Sequence, residues 1–365
     1  MYGINDTLLK YERNDYAEHL SEFNFKIDVS LGTNPYGPWP GLNDYIIDLN
    51  HIDAYPHGDE ELLEEICKHF ASVTKLESDM IALSCGSIGA MLTLNRMFLK
   101  PGKTILGVAP QFTAVIDDFN MYGANYQPVY LRKEDKFKFS LEDFLADLDN
   151  LDEAYIYIDN PNNPTGQVIP KSDLEQIVAE AEKRNSFVII DEAYGDYMDL
   201  EESSVDLLER YDNLIVVRTF SKGLGAAGIR LGYVVGKKDF ISVFNKANLP
   251  FAKSSIAGEI GAKIINSGWE KECRSNVNSG KKRIIEALED TKLRIGYTSV
   301  NVPISMVYCE DDSIDLIKVM ERAGLKAVPC EGYDGLGKNY VRINLHKDMG
   351  LLIECLLKTS ELIIK

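Results

Sequence analysis

The chain has 365 residues, 45% hydrophobic and 26% charged, which is ordinary for a globular protein with a large core. Its formal charge of −18 argues against nucleic acid as a partner. There is no apolar run of about 18 residues and no signal-peptide pattern, so we expect neither a membrane span nor secretion. Six cysteines without a CxxC pair predict free thiols and a cytoplasmic protein, and the five histidines show no metal-ligand spacing.

In chain order, the first 40 residues contain no strong strand, and we expect them to join a smaller domain. From residue 80 onward, short apolar runs alternate with helical patterns. The predicted strands are residues 80–86, 104–110, 154–160, 187–193, 213–220 and 231–236. Continuously apolar strands between helices predict an α/β fold with a mostly parallel central sheet covered by helices. We expect this sheet to form a large domain over residues 41–268.

Residues 172–184 illustrate one of the covering helices. Their apolar residues recur at helical spacing. Ser172 is followed three residues later by Glu175, a pattern that predicts a capping box at the helix N-terminus.

The sequence changes character after about residue 269. A long amphipathic helix is predicted over residues 269–290, and shorter strands over 304–310 and 340–345, before a final helix from Met349. We therefore expect residues 269–365, together with residues 1–40, to form a smaller α+β domain.

Several polar or glycine-rich loops follow the predicted strands. They begin at Gly86, Asn160, Asp191 and Ser221. In open parallel sheets, ligands bind beyond the carboxyl ends of the strands. The four loops are therefore expected to meet at one site.

The loop after Ser221 holds a lysine and an arginine eight residues apart, Lys222 and Arg230, with small residues between them. Alone, such a lysine would usually be a surface charge. A partly desolvated lysine beside another cation, however, attacks carbonyl groups and forms Schiff bases. The cofactor that needs both an aldehyde-binding lysine and a phosphate-binding arginine is pyridoxal 5′-phosphate (PLP).

PLP makes two further demands on a protein. A buried carboxylate should keep the ring nitrogen protonated, and Asp191 at a strand end suits this role. An amide or a phenol should bind the phenolic oxygen, and Asn163 and Tyr194 are candidates. Each signal also has an ordinary interpretation, because Asp residues cap turns and Asn–Pro strings form them.

Taken together, the motifs resemble a known family. The NNPTG loop (162–166), DEAY (191–194) and SKGLGAAGIRLGY (221–233) are similar to those of fold-type I PLP enzymes of the class I/II aminotransferase family, over nearly the full length. The chain most resembles histidinol-phosphate aminotransferases, whose NPYGP and YP elements appear at 34–38 and 55–56.

The resemblance implies roles for individual residues. Lys222 would form an aldimine with the cofactor and move protons. Asp191 would pair with the ring nitrogen, and Asn163 and Tyr194 would hold the phenolate oxygen. The remaining cofactor contacts would be Ser221, Arg230, Ser87 and Ile88 at the phosphate, Phe112 stacked on the ring, and Tyr55 reaching the phosphate of a neighbouring subunit in a homodimer.

On the substrate side, the resemblance implies that Arg342 binds a carboxylate, with Asn163 and Tyr36 nearby. One departure concerns the region 326–335, which lacks an arginine that histidinol-phosphate enzymes tend to carry. A second is the stretch CGSIGAM (85–91), where relatives often have acidic residues after the Gly–Ser pair. Both departures weaken the histidinol-phosphate assignment.

The expected function is therefore transfer of an amino group between an amino acid, with glutamate as the donor, and a 2-oxo acid or related carbonyl compound. One alternative keeps the cofactor but breaks another bond, as in a decarboxylase similar to threonine-phosphate decarboxylases, or a cyclase, lyase or oxidase. The other is a non-catalytic regulator, which would normally carry an added DNA-binding segment.

Overall fold

The computed structural model describes residues 8–9, 24–50, 52–56 and 58–363. The strands are β1 (Ile27–Asp28), β2 (Ile81–Ser84), β3 (Thr104–Ala109), β4 (Asn125–Tyr130), β5 (Tyr155–Asp159), β6 (Phe187–Asp191), β7 (Leu214–Thr219), β8 (Gly232–Gly236), β9 (Leu293–Ile295), β10 (Ile304–Cys309), β11 (Leu325–Lys326), β12 (Val328–Pro329) and β13 (Tyr340–Asn344). The helices are α1 (Glu60–Phe70), α2 (Gly86–Phe98), α3 (Thr113–Met121), α4 (Leu141–Leu148), α5 (Lys171–Lys183), α6 (Lys238–Ala247), α7 (Ser255–Ile264), α8 (Trp269–Leu288), α9 (Leu316–Ala323) and α10 (Met349–Leu362).

A seven-stranded sheet forms the centre of the molecule, in the order β2-β8-β7-β6-β5-β3-β4. Its neighbouring strands are parallel except at β8, which runs antiparallel to both β2 and β7. The predicted α/β fold with a mostly parallel sheet is therefore confirmed. The carboxyl ends of β2, β5, β6 and β7 lie at the same edge of the sheet.

The strands of this sheet are apolar throughout because helices cover both faces. On β5, Tyr155 and Tyr157 belong to one apolar cluster, whereas Ile156 and Ile158 belong to the cluster on the opposite face. All five residues of β5 are buried. The loops that follow these strands therefore start from a buried sheet.

A four-stranded antiparallel sheet, in the order β12-β13-β10-β9, forms a second core with residues of α8, α9 and α10. β1 pairs in parallel with β11, with Ile27 opposite Leu325. An N-terminal segment thus joins the C-terminal part of the chain. The predicted division into 41–268 and 1–40 with 269–365 stays a prediction, and residues 1–7 and 10–23 lie outside the described residues.

Two features differ from the sequence-based expectation. β4 was not predicted, because it is an edge strand with partly exposed side chains and contains Pro128, which an edge position tolerates. The predicted capping box of α5 is wrong, since the helix starts at Lys171 after Pro170. Pro170 is the N-cap residue, so the helix begins two residues before the start that a Ser172 cap predicts, and Ser172 lies inside its first turn.

The six cysteines are free thiols, as predicted. Among the described residues, no helix is both long enough and apolar enough to cross a membrane.

Candidate active site

A cavity of about 220 Å³ lies at the carboxyl ends of the central strands. It is lined by nine of the residues predicted from the sequence, which are Ser87, Ile88, Phe112, Asn163, Asp191, Tyr194, Ser221, Lys222 and Arg230. Five further residues line it that are not among the predicted site residues, which are Asp159, Pro161, Ala193, Thr219 and Ala227. The four predicted loops therefore meet at one site.

Asp191 is the last residue of β6 and is 4% exposed. Its carboxylate accepts hydrogen bonds from the Tyr157 hydroxyl at 3.1 Å and from the Ala193 N–H at 3.0 Å. Burial, with a smaller contribution from the nearby charge of Asp159, raises the pKa of Asp191 to about 7, against the opposing effects of its two hydrogen bonds and of the Lys222 ammonium. A cationic group placed in the cavity would favour the ionised carboxylate.

Lys222 follows β7 and is held near the N-terminal segment. Its Nζ atom lies 5.0 Å from the centre of the Tyr194 ring. Tyr194 donates a hydrogen bond from its hydroxyl to the Gly32 carbonyl oxygen at 3.0 Å. A Cβ atom at Gly32 would overlap Tyr194 Oη and lie 3.5 Å from Lys222 Nζ. Gly32 therefore leaves the space in which the lysine amine faces the cavity.

One end of the cavity is suited to an anion. α2 begins at Gly86, and Cys85 at its N-cap makes no side-chain capping hydrogen bond. The first N–H groups of an α-helix have no intrahelical partner and attract anions. Gly232 lets β8 approach this helix end closely, because a Cβ atom there would lie 2.5 Å from Gly86 C and 2.7 Å from Ser87 N.

Arg230 and Ser221 complete this end. Arg230 has a φ of +53°, in the left-handed region that is unfavourable for a residue with a side chain. Its Nη1 atom donates to the Ala227 carbonyl oxygen at 3.0 Å and lies 3.5 Å from Ser221 Oγ. With this left-handed backbone, the Arg230 guanidinium group turns back toward the start of α2 and the Ser221 hydroxyl.

Asn163 links the cavity to the smaller sheet. Its Oδ1 atom accepts hydrogen bonds from Tyr333 Oη and from Arg342 Nη1, both at 3.3 Å. Arg342 lies on β13, is 5% exposed, and also donates from Nη2 to the Ser30 carbonyl oxygen at 2.7 Å. Because Asn163 accepts through Oδ1, its Nδ2 atom is available as a donor.

Three predicted residues do not line the cavity. Arg342 donates a hydrogen bond to Asn163, which does line it. Tyr36 packs against the core of the smaller sheet, where burial raises its pKa. Tyr55 is 70% exposed and stacks on Phe251 with ring centres 4.4 Å apart.

Asp159 is the main residue that the sequence reasoning missed. It ends β5 and pairs in register with Asp191 at the end of β6. The rule that polar residues at strand ends mark the site applies to it as well.

The lining residues fit PLP in three respects. A buried carboxylate, Asp191, can pair with the ring nitrogen, and Lys222 can bind the aldehyde. The helix end, Ser221 and Arg230 supply the donors that a phosphate needs. A Cβ atom at Gly32 would overlap Tyr194 Oη beside Lys222, so a glycine there leaves room for these two side chains.

Comparison with known proteins places these features in a family. The sequence profile described as "Aminotransferase class I and II" matches residues 47–352. A histidinol-phosphate aminotransferase of Haloquadratum walsbyi is 32% identical over 63% of this chain and 60% of its own length. A histidinol-phosphate aminotransferase of Methanocaldococcus jannaschii is 27% identical over 87% of this chain and 84% of its own.

The fold is shared with solved structures. The crystal structure of histidinol-phosphate aminotransferase from Sinorhizobium meliloti in complex with PLP superposes with a TM-score of 0.75. The alignment has 20% identity and covers 93% of this chain and 91% of that chain. The family profile matches most of the chain, and Lys222 and Asp191 line one cavity. This chain therefore belongs to the aminotransferase class I and II family and is a PLP-dependent aminotransferase.

Proposed function

We propose that the enzyme moves an amino group between an amino acid, with glutamate as the donor, and a 2-oxo acid or related carbonyl compound. The observation that carries this proposal is that Lys222 and Asp191 line one cavity. At one end of this cavity, the start of α2, Ser221 and Arg230 form a site for an anion, which we call the anion cradle. Asn163 connects this cavity to Arg342, a buried arginine suited to a substrate carboxylate.

Residues of the chain would hold the cofactor at both ends. The N–H groups of Ser87 and Ile88 with Ser221 and Arg230 would bind its phosphate, and Asp191 would bind its ring nitrogen. Bound PLP withdraws electrons from the bonds of the substrate's α-carbon.

Lys222 would act as the proton carrier. Its Nζ atom would take up the proton that leaves the substrate's α-carbon and hold it for return. Asn163 Nδ2 would donate a hydrogen bond that orients the ring, and Tyr194 would do the same with its hydroxyl turned away from the Gly32 carbonyl oxygen, to which it donates in this structure. Phe112 would pack on the face of the ring. Asp191, which would pair with the ring nitrogen, is 4% exposed.

Arg342 would bind the α-carboxylate, because a planar guanidinium matches the two carboxylate oxygens. Its cross-strand neighbours are Val328 on β12 and Met306 on β10, which are apolar. The region 326–335 contains no second arginine. We therefore propose that the enzyme prefers a carboxylate-bearing amino acid or a small polar amine to a phosphomonoester such as histidinol phosphate.

We also propose that the enzyme is a cytoplasmic homodimer. The exposed ring of Tyr55 does not line the cavity of its own chain, and it would reach the cofactor phosphate of a neighbour. The segments around it carry further exposed apolar side chains, which are Ile46, Leu49, Ile52, Leu249 and Phe251. Such a patch favours association. The free thiols support a reducing compartment.

The test is to incubate the PLP-loaded enzyme with a panel of amino acids and to measure both 2-oxo acid and CO₂. Transamination predicts stoichiometric 2-oxo acid and conversion of the cofactor to its amine form. Release of CO₂ without 2-oxo acid would instead support the decarboxylase alternative. Loss of ammonia or consumption of oxygen would support the lyase or oxidase alternative.

A further inference from the structure

Asp159 is a second buried acid of the cofactor cavity, and the proposed function gives it no role. It is 5% exposed and lines the cavity beside Asp191. The Cα atoms of Asp159 and Asp191 are register partners in adjacent parallel strands. Two carboxylates thus end neighbouring strands at the position where the cofactor ring would lie.

The Asp159 carboxylate accepts hydrogen bonds from the loop after β5 and from the segment that precedes α3. Its Oδ1 atom accepts from Asn162 Nδ2 at 3.0 Å and from Gln111 Nε2 at 3.1 Å. Its Oδ2 atom accepts from the Asn163 backbone N–H at 2.9 Å. Hydrogen bonds from three donors favour the ionised form of the Asp159 carboxyl group.

We propose that Asp159 is a positioning residue of the PLP site, which holds Asn163 through its backbone and adds a negative charge that keeps the cofactor-bound nitrogen of Lys222 protonated to higher pH. This proposal rests on the PLP cofactor of the proposed function. The three donors that bind Asp159 are neutral amide groups, so none of them cancels its negative charge. This charge therefore acts on Asp191 and, across the cavity, on Lys222.

The charged and titratable groups around Asp159 support this assignment. From β6 it faces Asp191, from β5 Tyr157, and from β4 Tyr126; the cavity adds Lys222 and Arg230. Burial is the main cause that raises the pKa of Asp191, Tyr157 and Tyr126, and the nearby charge of Asp159 adds to the shift of each. Burial raises the pKa of Asp159 itself to about 6, which still leaves it ionised at neutral pH.

The test is the absorbance of bound PLP as a function of pH in wild type and Asp159→Asn. A negative charge favours a nearby cation, so its removal should lower the pH midpoint of the spectral change. A unit charge several Å away at an effective dielectric of about 20 predicts a shift of roughly one pH unit, or about tenfold in proton affinity. A purely structural role would lower stability without moving this midpoint.

Asp118→Asn is the matched control. Asp118 is also a buried acid of the large sheet layer, where it accepts from Asn95 Nδ2 at 2.6 Å, but it does not line the cavity. Its midpoint should equal that of wild type. If Asp159→Asn does not fold, Asp159→Ser serves as the second variant, because it removes the charge and keeps an oxygen acceptor for the Asn163 N–H.

A second measurement needs no cofactor. The pKa of Asp159 lies above its usual value of 3.8, so the proton it binds stabilises the folded apoprotein at low pH, and this stabilisation is lost as the pH rises from about 4 through about 6. Thermal unfolding of the Asp159→Asn apoprotein should therefore depend less on pH over this window.

The outcomes separate the two claims. A wild-type protein that shows no absorbance of bound PLP would contradict the proposed cofactor. Bound PLP with the same spectral midpoint in wild type and in a folded Asp159 variant would overturn the role of Asp159 alone. A lowered midpoint in Asp159→Asn and an unchanged one in Asp118→Asn would support it.

Discussion

Arg342 is the residue whose side chain would distinguish substrates, because it is buried and bonded to Asn163 at the wall of the cofactor cavity. Arg342→Ala should lower kcat/KM for glutamate by about 100-fold or more. Leaving a substrate carboxylate unpaired at a buried site costs roughly 2–5 kcal/mol. Steady-state kinetics measure the effect, and Arg322→Ala, at an exposed arginine of α9, is the control. An unchanged kcat/KM in Arg342→Ala would mean that another group binds the carboxylate.

The apolar neighbours of Arg342 lead to a second prediction about substrates. Val328 and Met306 lie opposite Arg342 on the neighbouring strands. Residues 326–335 contain no arginine that could bind a substrate phosphate. Wild-type kcat/KM should be higher for a carboxylate-bearing amino acid than for histidinol phosphate. Side-by-side assays of the two substrate classes test this directly. Histidinol phosphate as by far the best substrate would show that the preference is wrong.

Asp191 should also make the stability of the apoprotein depend on pH. Its pKa is raised from 3.8 to about 7, so the folded state binds this proton more tightly than the unfolded chain does. The stabilisation is fully present below about pH 3.8 and is lost as the pH rises through about 7. In Asp191→Asn the thermal midpoint should fall less between pH 5 and pH 8 than in wild type. Exposed Asp212→Asn should keep the wild-type profile, and equal slopes in all three proteins would contradict the assignment.

At the scale of elements, the contact between β8 and the start of α2 shapes the anion cradle. Gly232→Ala would place a methyl group 2.5 Å from Gly86 C and 2.7 Å from Ser87 N, which are backbone atoms that cannot rotate away. We expect the apparent Kd for PLP to rise at least about tenfold, together with a loss of stability of roughly 1–3 kcal/mol.

Gly228→Ala is the matched control for this change. A Cβ atom at Gly228 meets nothing within 4 Å, although the residue lies in the same loop as Arg230. Its affinity for PLP, measured by titration of the apoprotein, should stay close to that of wild type. If Gly232→Ala binds PLP as tightly as Gly228→Ala does, the close approach of β8 does not shape the site.

The central elements could be predicted from the sequence because their burial on both faces leaves a continuous apolar run, as in β5, β6 and β7. β4 could not, since its alternating half-exposed residues lack that signal. The start of α5 depended on the backbone of Pro170 rather than on the Ser172 side chain. Apolar pattern therefore specified the sheet, whereas edges and helix ends depended on local backbone geometry.

The candidate site was predictable to the extent that its residues lie in motifs. Lys222, Asp191 and Asn163 lie at or just after the ends of predicted strands, and this position in the sequence predicted that they share a site. All three line the cavity. Asp159 carries the same positional signal but lies outside the recognised motifs. The bond of Tyr194 to Gly32 and that of Arg342 to Ser30 join residues more than 150 positions apart, so only the folded chain reveals them.

At the scale of the whole molecule, the exposed segments around Tyr55 and Phe251 predict a homodimer with shared active sites. Light scattering at assay concentration should give twice the mass of the 41.0 kDa chain. Tyr55→Ala should weaken PLP binding, whereas Tyr55→Phe should separate the loss of the hydroxyl from the loss of the ring. A fully active monomer would contradict the assembly.

The central claim is that the enzyme transfers an amino group by means of Lys222. The most direct measurement is a single-turnover reaction of the PLP-loaded enzyme with glutamate, in wild type and in Lys222→Ala, with quantification of 2-oxoglutarate. The account predicts about one equivalent of 2-oxoglutarate per subunit in wild type and a rate lower by several orders of magnitude in the variant, because the proton carrier is lost. A wild-type enzyme that forms no 2-oxo acid from any amino acid, or a Lys222→Ala variant that reacts as fast as wild type, would contradict it.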